Sequence, residues 1–171
     1  AEKISQEFKT TFAARSLMSY LNKFEIETSY GIKAWKRWGN TAEQIIKSNP
    51  YVLCIQGVDL SFSRADAVAA KSDIPADSEC RIKAGITYIL RQNADQGHTC
   101  LPLDSLVKTA VSYLDVDEKL IKKVIEDETE EENLYYYDKH GRRFVMLADF
   151  YKAEDYIARR LAIMRQISYD N

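Results

Sequence analysis

An Asn-Pro pair at residues 49 and 50 constrains this chain more than any other feature, because it interrupts an otherwise helix-forming sequence at a fixed point. The ring of Pro50 disfavours helical geometry at Asn49, so a helix arriving from the N-terminal side must stop there. A short apolar run follows, Val52-Leu53-Cys54-Ile55, then Gln56-Gly57-Val58-Asp59-Leu60-Ser61, then a small-residue helix over residues 63–71 with Ala65, Val68 and Ala69 on one face. The pattern predicts helix, tight glycine turn, helix. Such a turn leaves backbone N–H groups pointing outward beside a helix N-terminus, a geometry that binds phosphate oxygens without reading bases.

Upstream, Leu17, Tyr20, Leu21 and Phe24 recur at helical spacing and predict a helix from Ala14 to about Lys23. Thr28 or Ser29 is expected to cap a second helix over residues 30–38, which Gly39 ends. Trp35 and Trp38 read first as packing residues and second as a nucleotide-stacking platform. Lys33, Lys36 and Arg37 form either a solvated face or contacts to a nucleic-acid backbone. A short helix over residues 41–48, with Ala42, Ile45 and Ile46 inward, leads into the Asn-Pro break. Residues 1–13 are polar and show no helix start, so the chain reads as a piece of a longer polypeptide.

Downstream, Ile74-Pro75 and Asp77-Ser78 mark a linker and a cap, placing a boundary at about residue 76. The next helix carries Ile82, Ile86, Ile89 and Leu90 on one face, and residues 93–102 read as a loop and short strand. Asp104 or Ser105 begins a helix with Leu106, Val107, Ala110, Val111 and Leu114, and Asp117 begins another with Leu120, Ile121, Val124 and Ile125. Leu134 to Tyr137 and Arg143 to Leu147, around the turn Asp138-Lys139-His140-Gly141, fit a β-hairpin. That order makes residues 77–148 a winged-helix-like unit. Its second helix runs into six carboxylates within residues 126–132, which argues against that end lying in a DNA groove. The wing, with Lys139, His140, Arg142 and Arg143, is the better basic surface. Asp149 is expected to cap a last helix to about Ile167, with Tyr156, Ile157, Leu161 and Met164 as its apolar stripe and Arg159, Arg160 and Arg165 opposite.

Several chemistries find no support. The 171 residues hold 24 basic and 26 acidic side chains, net −2, which weakens any reading as a free-standing, tight nucleic-acid binder. Cys54, Cys80 and Cys100 form no C-x-x-C pair, suggesting reduced thiols in a cytoplasmic protein and no zinc site. His98 and His140 lack partners at ligand spacing. No apolar run approaches the ~20 residues of a membrane span. With no G-x-x-x-x-G-K-[ST], no G-x-S-x-G and no H-E-x-x-H, no catalytic residue is assigned and no cofactor is expected on this stretch.

The run Asn49-Pro50-Tyr51-x-Leu53, a glycine turn, and Arg64-Ala65-Asp66-x-Val68-Ala69 resembles the helix-hairpin-helix region of RecD-like (RecD/TraA) ATP-dependent DNA helicases. Ile32-Lys33-Ala34-Trp35-Lys36-Arg37-Trp38-Gly39 is similar to that family's preceding hairpin. Gly85-Ile86-x-Tyr88-x-Leu90 and Gly97-His98-Thr99-x-Leu101-Pro102 are similar to its following segment, so that the resemblance spans residues 15–161. It departs from the family at Lys23 and Glu25, where the first turn has glycines. It departs again at the second turn, where Asp59 opposes the phosphate that the N–H groups of Leu60, Ser61 and Phe62 would attract. The resemblance implies a mainly α fold of tandem helix-hairpin-helix units (residues 14–76), a winged-helix-like three-helix unit with one β-hairpin (77–148) and a C-terminal helix (149–171). It also implies an accessory region of a helicase of the exodeoxyribonuclease V alpha-chain type, serving DNA repair and recombination. ATP and magnesium would be used only by motor domains of the same chain. Single-stranded or forked DNA would be held without sequence preference by Lys33, Lys36, Arg37, Gly57, Ser63 and Arg64, with Arg142 and Arg143 on the wing. Two other readings stand beside it: a protein-interaction scaffold and a winged-helix transcription regulator.

Overall fold

The computed structural model describes the backbone of residues 2–167 and the side chains of residues 10–165. The chain is mainly α and divides into two compact units, residues 1–84 and 85–171. The division falls at Gly85, inside the continuous helix over residues 79–95.

The first unit holds α1 (Glu2–Asn22), α2 (Thr28–Trp38), α3 (Ala42–Ser48), α4 (Phe62–Lys71) and the start of α5 (Glu79–Asp95). Leu17 and Leu21 of α1, Ala34 of α2, Ile46 of α3 and Ala65 and Val68 of α4 are almost fully buried and form its core. Gly31 of α2 packs directly against Met18 and Leu21 of α1. A Cβ there would collide with Met18 Sδ and press on Leu21.

Four sequence expectations need correction here. Helix α1 starts at Glu2 and not near Ala14, since residues 2–13 contain no breaker. Helix α2 starts at Thr28, with Glu27 at the cap position and no side-chain cap bond, so neither Thr28 nor Ser29 caps it. Gly39 ends it, at φ 56. The arm after the Asn-Pro break is a single 3-10 turn, Pro50–Cys54, instead of an α-helix. Asn49 is held extended and its side chain accepts the Tyr51 N–H, 3.0 Å. Helix α4 begins at Phe62 with Ser61 at the cap position, one residue before the start expected at Ser63, which lies inside the first turn.

The second unit holds the rest of α5, β1 (Cys100–Pro102), α6 (Leu103–Leu114), α7 (Glu118–Glu130), β2 (Leu134–Lys139), β3 (Arg142–Leu147) and α8 (Ala148–Ile167). The strands form an antiparallel sheet in the order β1-β3-β2, with Leu101 and Tyr136 both opposite Val145. The hairpin therefore gains a third strand from the loop before α6, and the unit is winged-helix-like in its element order. Asp117 caps α7 by accepting the Lys119 N–H, 2.8 Å. His140 and Gly141, at φ 50 and 73, make the two-residue turn that right-twisted strands require. Ile82 at the head of α5 is fully buried within the first unit, and Leu106, Ile121, Ile125 and Val145 fill the core of the second. In α8 the apolar stripe is present but uncovered: Tyr156, Leu161 and Met164 are 60% or more exposed.

Candidate nucleic-acid interface

Two chain reversals in the first unit match residue for residue at a spacing that pairs Glu25 with Asp59. Each acid sits in the left-handed region, at φ 58 and φ 63. Each is followed by a buried apolar plug, Ile26 or Leu60, then by the cap residue of the next helix, Glu27 or Ser61. The first reversal closes by the Ile26 N–H donating to Leu21 O at 3.2 Å, a Schellman-type helix ending. The second closes by the Leu60 N–H donating to Leu53 O at 2.9 Å, with Gly57 at φ 96. That bond consumes one of the N–H groups expected to face phosphate. Ser61 and Ser63 N–H groups donate to no acceptor among the described residues, as expected at a helix start.

The two reversals are tied to each other crosswise. Lys33 of α2 reaches the second turn, donating from Nζ to Val58 O at 3.1 Å, with Asp59 Oδ2 3.9 Å away. Arg64 of α4 reaches the first, donating to Glu25 O at 2.6 Å and lying 3.5 Å from Glu27 Oε1. The Tyr30 ring takes both cations, Lys33 at 5.6 Å and Arg64 at 5.8 Å from its centroid. The starts of α2 and α4 thereby converge, and their dipoles add positive potential at one end of the unit. Glu27 and Asp59 sit in the same place and subtract from it. Asp59 also accepts the Gly57 N–H at 3.1 Å.

The residues named from sequence separate into groups. Lys33, Gly57 and Arg64 come together at the clasp, with Ser63 nearby in the first turn of α4, its Oγ 3.4 Å from Ser61 Oγ. Lys36 and Arg37 lie farther along α2, exposed, and Arg37 stacks over the Trp38 ring at 5.9 Å. Both tryptophans are half-buried. Arg142 and Arg143 belong to the second unit. Arg143 is held by Asp138 at 3.1 Å and lies over the Tyr136 ring at 4.9 Å, and both arginines line a notch of about 350 Å³ with Gly141 and the start of α6.

Sequence reasoning missed a brace beneath the second hairpin. Tyr51 OH donates to Asp66 Oδ1 at 2.5 Å, and Arg81 donates to both Asp66 oxygens, 2.7 and 3.2 Å, and to Ala76 O, 2.8 Å. Burial pushes the Asp66 carboxyl up, but the Arg81 and Tyr51 hydrogen bonds outweigh it and hold the carboxyl below its ordinary range. Burial and the same bond raise the Tyr51 phenol. Tyr51 stacks on Phe62, centroids 5.6 Å apart, so the brace fixes the start of α4. Partners 15 residues apart on three elements leave no periodic signal to find.

Among the described residues, no group of three His, Cys, Asp or Glu is placed to hold a metal ion, and no helix is long and apolar enough to cross a membrane. The family model described as the ATP-dependent RecD2 DNA helicase HHH domain matches residues 10–100. That is more than half of the chain. It runs from residue 10, within α1, through the first residue of β1, and so takes in both reversals, the clasp and the brace. Two glycine-poor hairpins in this order, tied end to end, are what the match covers, and the chain belongs to the family of ATP-dependent RecD2 DNA helicase HHH domains.

Proposed function

We propose that this chain is a non-catalytic accessory region of a RecD-like helicase that guides DNA at the point of strand separation by gripping its backbone. The observation that carries the reading is the convergence of the α2 and α4 starts at the crosswise clasp, with Lys36 and Arg37 exposed on the same helix as Lys33. Charge distribution supports it. Residues 1–84 hold 12 basic and 10 acidic side chains, whereas residues 85–171 hold 12 and 16, so the net −2 conceals a positive hairpin unit. Backbone contacts make binding independent of sequence and steeply dependent on salt. The uncovered stripe on α8 supports docking on the motor domains, which would carry ATP and magnesium.

The test is the intact helicase with Lys36→Glu and Arg37→Glu, alone and combined with Arg64→Glu. Forked-DNA binding should weaken at least tenfold, and losing two phosphate contacts should flatten the log K against log salt slope by about 1.8. Unchanged unwinding and an unchanged slope refute the placement. The Lys36/Arg37 pair is the cleaner variant, because Arg64 also holds the first turn. One observation favours the scaffold reading instead: Glu27 and Asp59 already occupy the two clasp cations. Silence of the chain toward single-stranded, forked and duplex DNA at low salt would select it.

A further inference from the structure

Helix α1 turns Leu17 and Leu21 into the core, but its opposite face is not an ordinary solvated one. Phe12, Arg15 and Tyr20 lie there at helical spacing with Lys23 just past the end of the helix, and with Glu43 and Lys47 of α3 they border a groove of about 400 Å³. Phe12 is 66% exposed, with no other aromatic ring against it among the described residues. Lys47 sits over the Tyr20 ring at 5.1 Å and bonds Glu43 at 2.6 Å, which positions its ammonium at the groove edge. Arg15 and Lys23 are exposed and make no ion pair among the described residues. Three cations face one carboxylate in a chain whose net charge is −2.

We infer that this groove is a second nucleic-acid track, taking a few nucleotides of single-stranded DNA. Arg15, Lys23 and Lys47 hold phosphates, and a base stacks on Phe12. Alternation of cations with an exposed ring is what a single strand needs, since each unpaired base offers a π-face next to its phosphate. A duplex keeps its bases stacked on one another and cannot use the ring. An acidic peptide would satisfy the cations but leave Phe12 in water. From Phe12 to its end at Asn22 the helix rises about 15 Å, which suits a short segment rather than a long wrap. None of these residues belongs to the hairpin clasp, so the inference stands apart from the function proposed above.

The test is fluorescence anisotropy of the 171-residue chain with labelled oligothymidine, an abasic oligomer of equal charge, and poly-glutamate, across a salt series. The Arg15→Glu/Lys23→Glu variant should bind oligothymidine at least tenfold more weakly and flatten the salt slope by about 1.4. Phe12→Ala should cost about tenfold for oligothymidine and nothing for the abasic oligomer. All three positions are exposed, and far-UV circular dichroism checks that the variants fold. The inference fails if the parent chain does not bind oligothymidine, or if the double reversal leaves affinity and slope intact. It fails also if Phe12→Ala weakens both oligomers equally, or if poly-glutamate binds as tightly as oligothymidine. A loss confined to the Lys36/Arg37 variant in the same titration would support the hairpin site and overturn this one.

Discussion

In the first hairpin the chain reverses through Asn22-Lys23-Phe24-Glu25, and in the second through Gln56-Gly57-Val58-Asp59. Both place an acid in the left-handed region and bury the next residue as a plug. They differ two residues earlier, where Gly57 takes φ 96 and Lys23 stays in the ordinary region. At φ near +58 an L-residue is strained but allowed, whereas φ near +96 is essentially reserved for glycine. The first turn thus dispenses with glycine by ending α1 in a Schellman motif. Lack of glycine there does not abolish the turn, because Glu25 itself takes the left-handed position. What the two turns share is the plug. What they do not share is the support behind it, since the second hairpin alone has the Tyr51–Asp66–Arg81 brace.

Removing the brace should break the comparison most strongly. Asp66→Ala strips partners from Tyr51 and Arg81 and should cost about 2 kcal/mol in urea denaturation, discounted for partial exposure of the pair. Native-state hydrogen exchange should show the loss in α4 ahead of α1. Because the folded carboxyl titrates below its unfolded value of about 3.9, its contribution is complete above that pH and disappears as pH falls through the folded value. Asp66→Asn should accordingly flatten the acid limb of stability below about pH 4. An acid limb as steep as the parent's would place the loss elsewhere.

The clasp comes next. Arg64→Ala should cost about 1 kcal/mol and Lys33→Ala about half of that, because Arg64 makes the shorter bond and is the less exposed. Equal losses would mean the two ties are equivalent. The smallest effect concerns the acids themselves. Glu25→Gly relieves left-handed strain and removes a negative charge from a helix C-terminus, and should stabilise by about 0.5 kcal/mol. Asp59→Gly should be near neutral, since it gives up the bond from Gly57 N–H and the Lys33 pairing. Thermal melts of the two variants side by side decide it.

Local patterns were legible. The buried faces of α1, α5, α6 and α7, the caps at Gly39 and Asp117, the β-hairpin and the interruption at Asn49-Pro50 follow from periodicity and backbone sterics, which act over one or two turns. The strand at residues 100–102 was legible as a strand, but not its partner. Less of the candidate site could be read. Lys33 and Arg64 were identified as cations for DNA, yet each is engaged with a turn 25 to 39 residues away in sequence. Arg15 and Lys47 drew no notice, and Lys23 only as a departure from the family's turn glycine, because α1 and α3 must pack together before Phe12 and Lys47 border one groove.

Apart from residues 2–13, the 3-10 arm at 50–54 and the uncovered stripe of α8, sequence alone determined which segments become helix, where they must stop and which side chains they hide, because those depend on torsional preference and on apolar spacing between near neighbours. Tertiary structure decided which charges are spoken for and which stay open to a ligand. That outcome depends on distances between elements, set by how the plugs Ile26 and Leu60 seat in a shared core and bring two helix starts within reach of each other's cations.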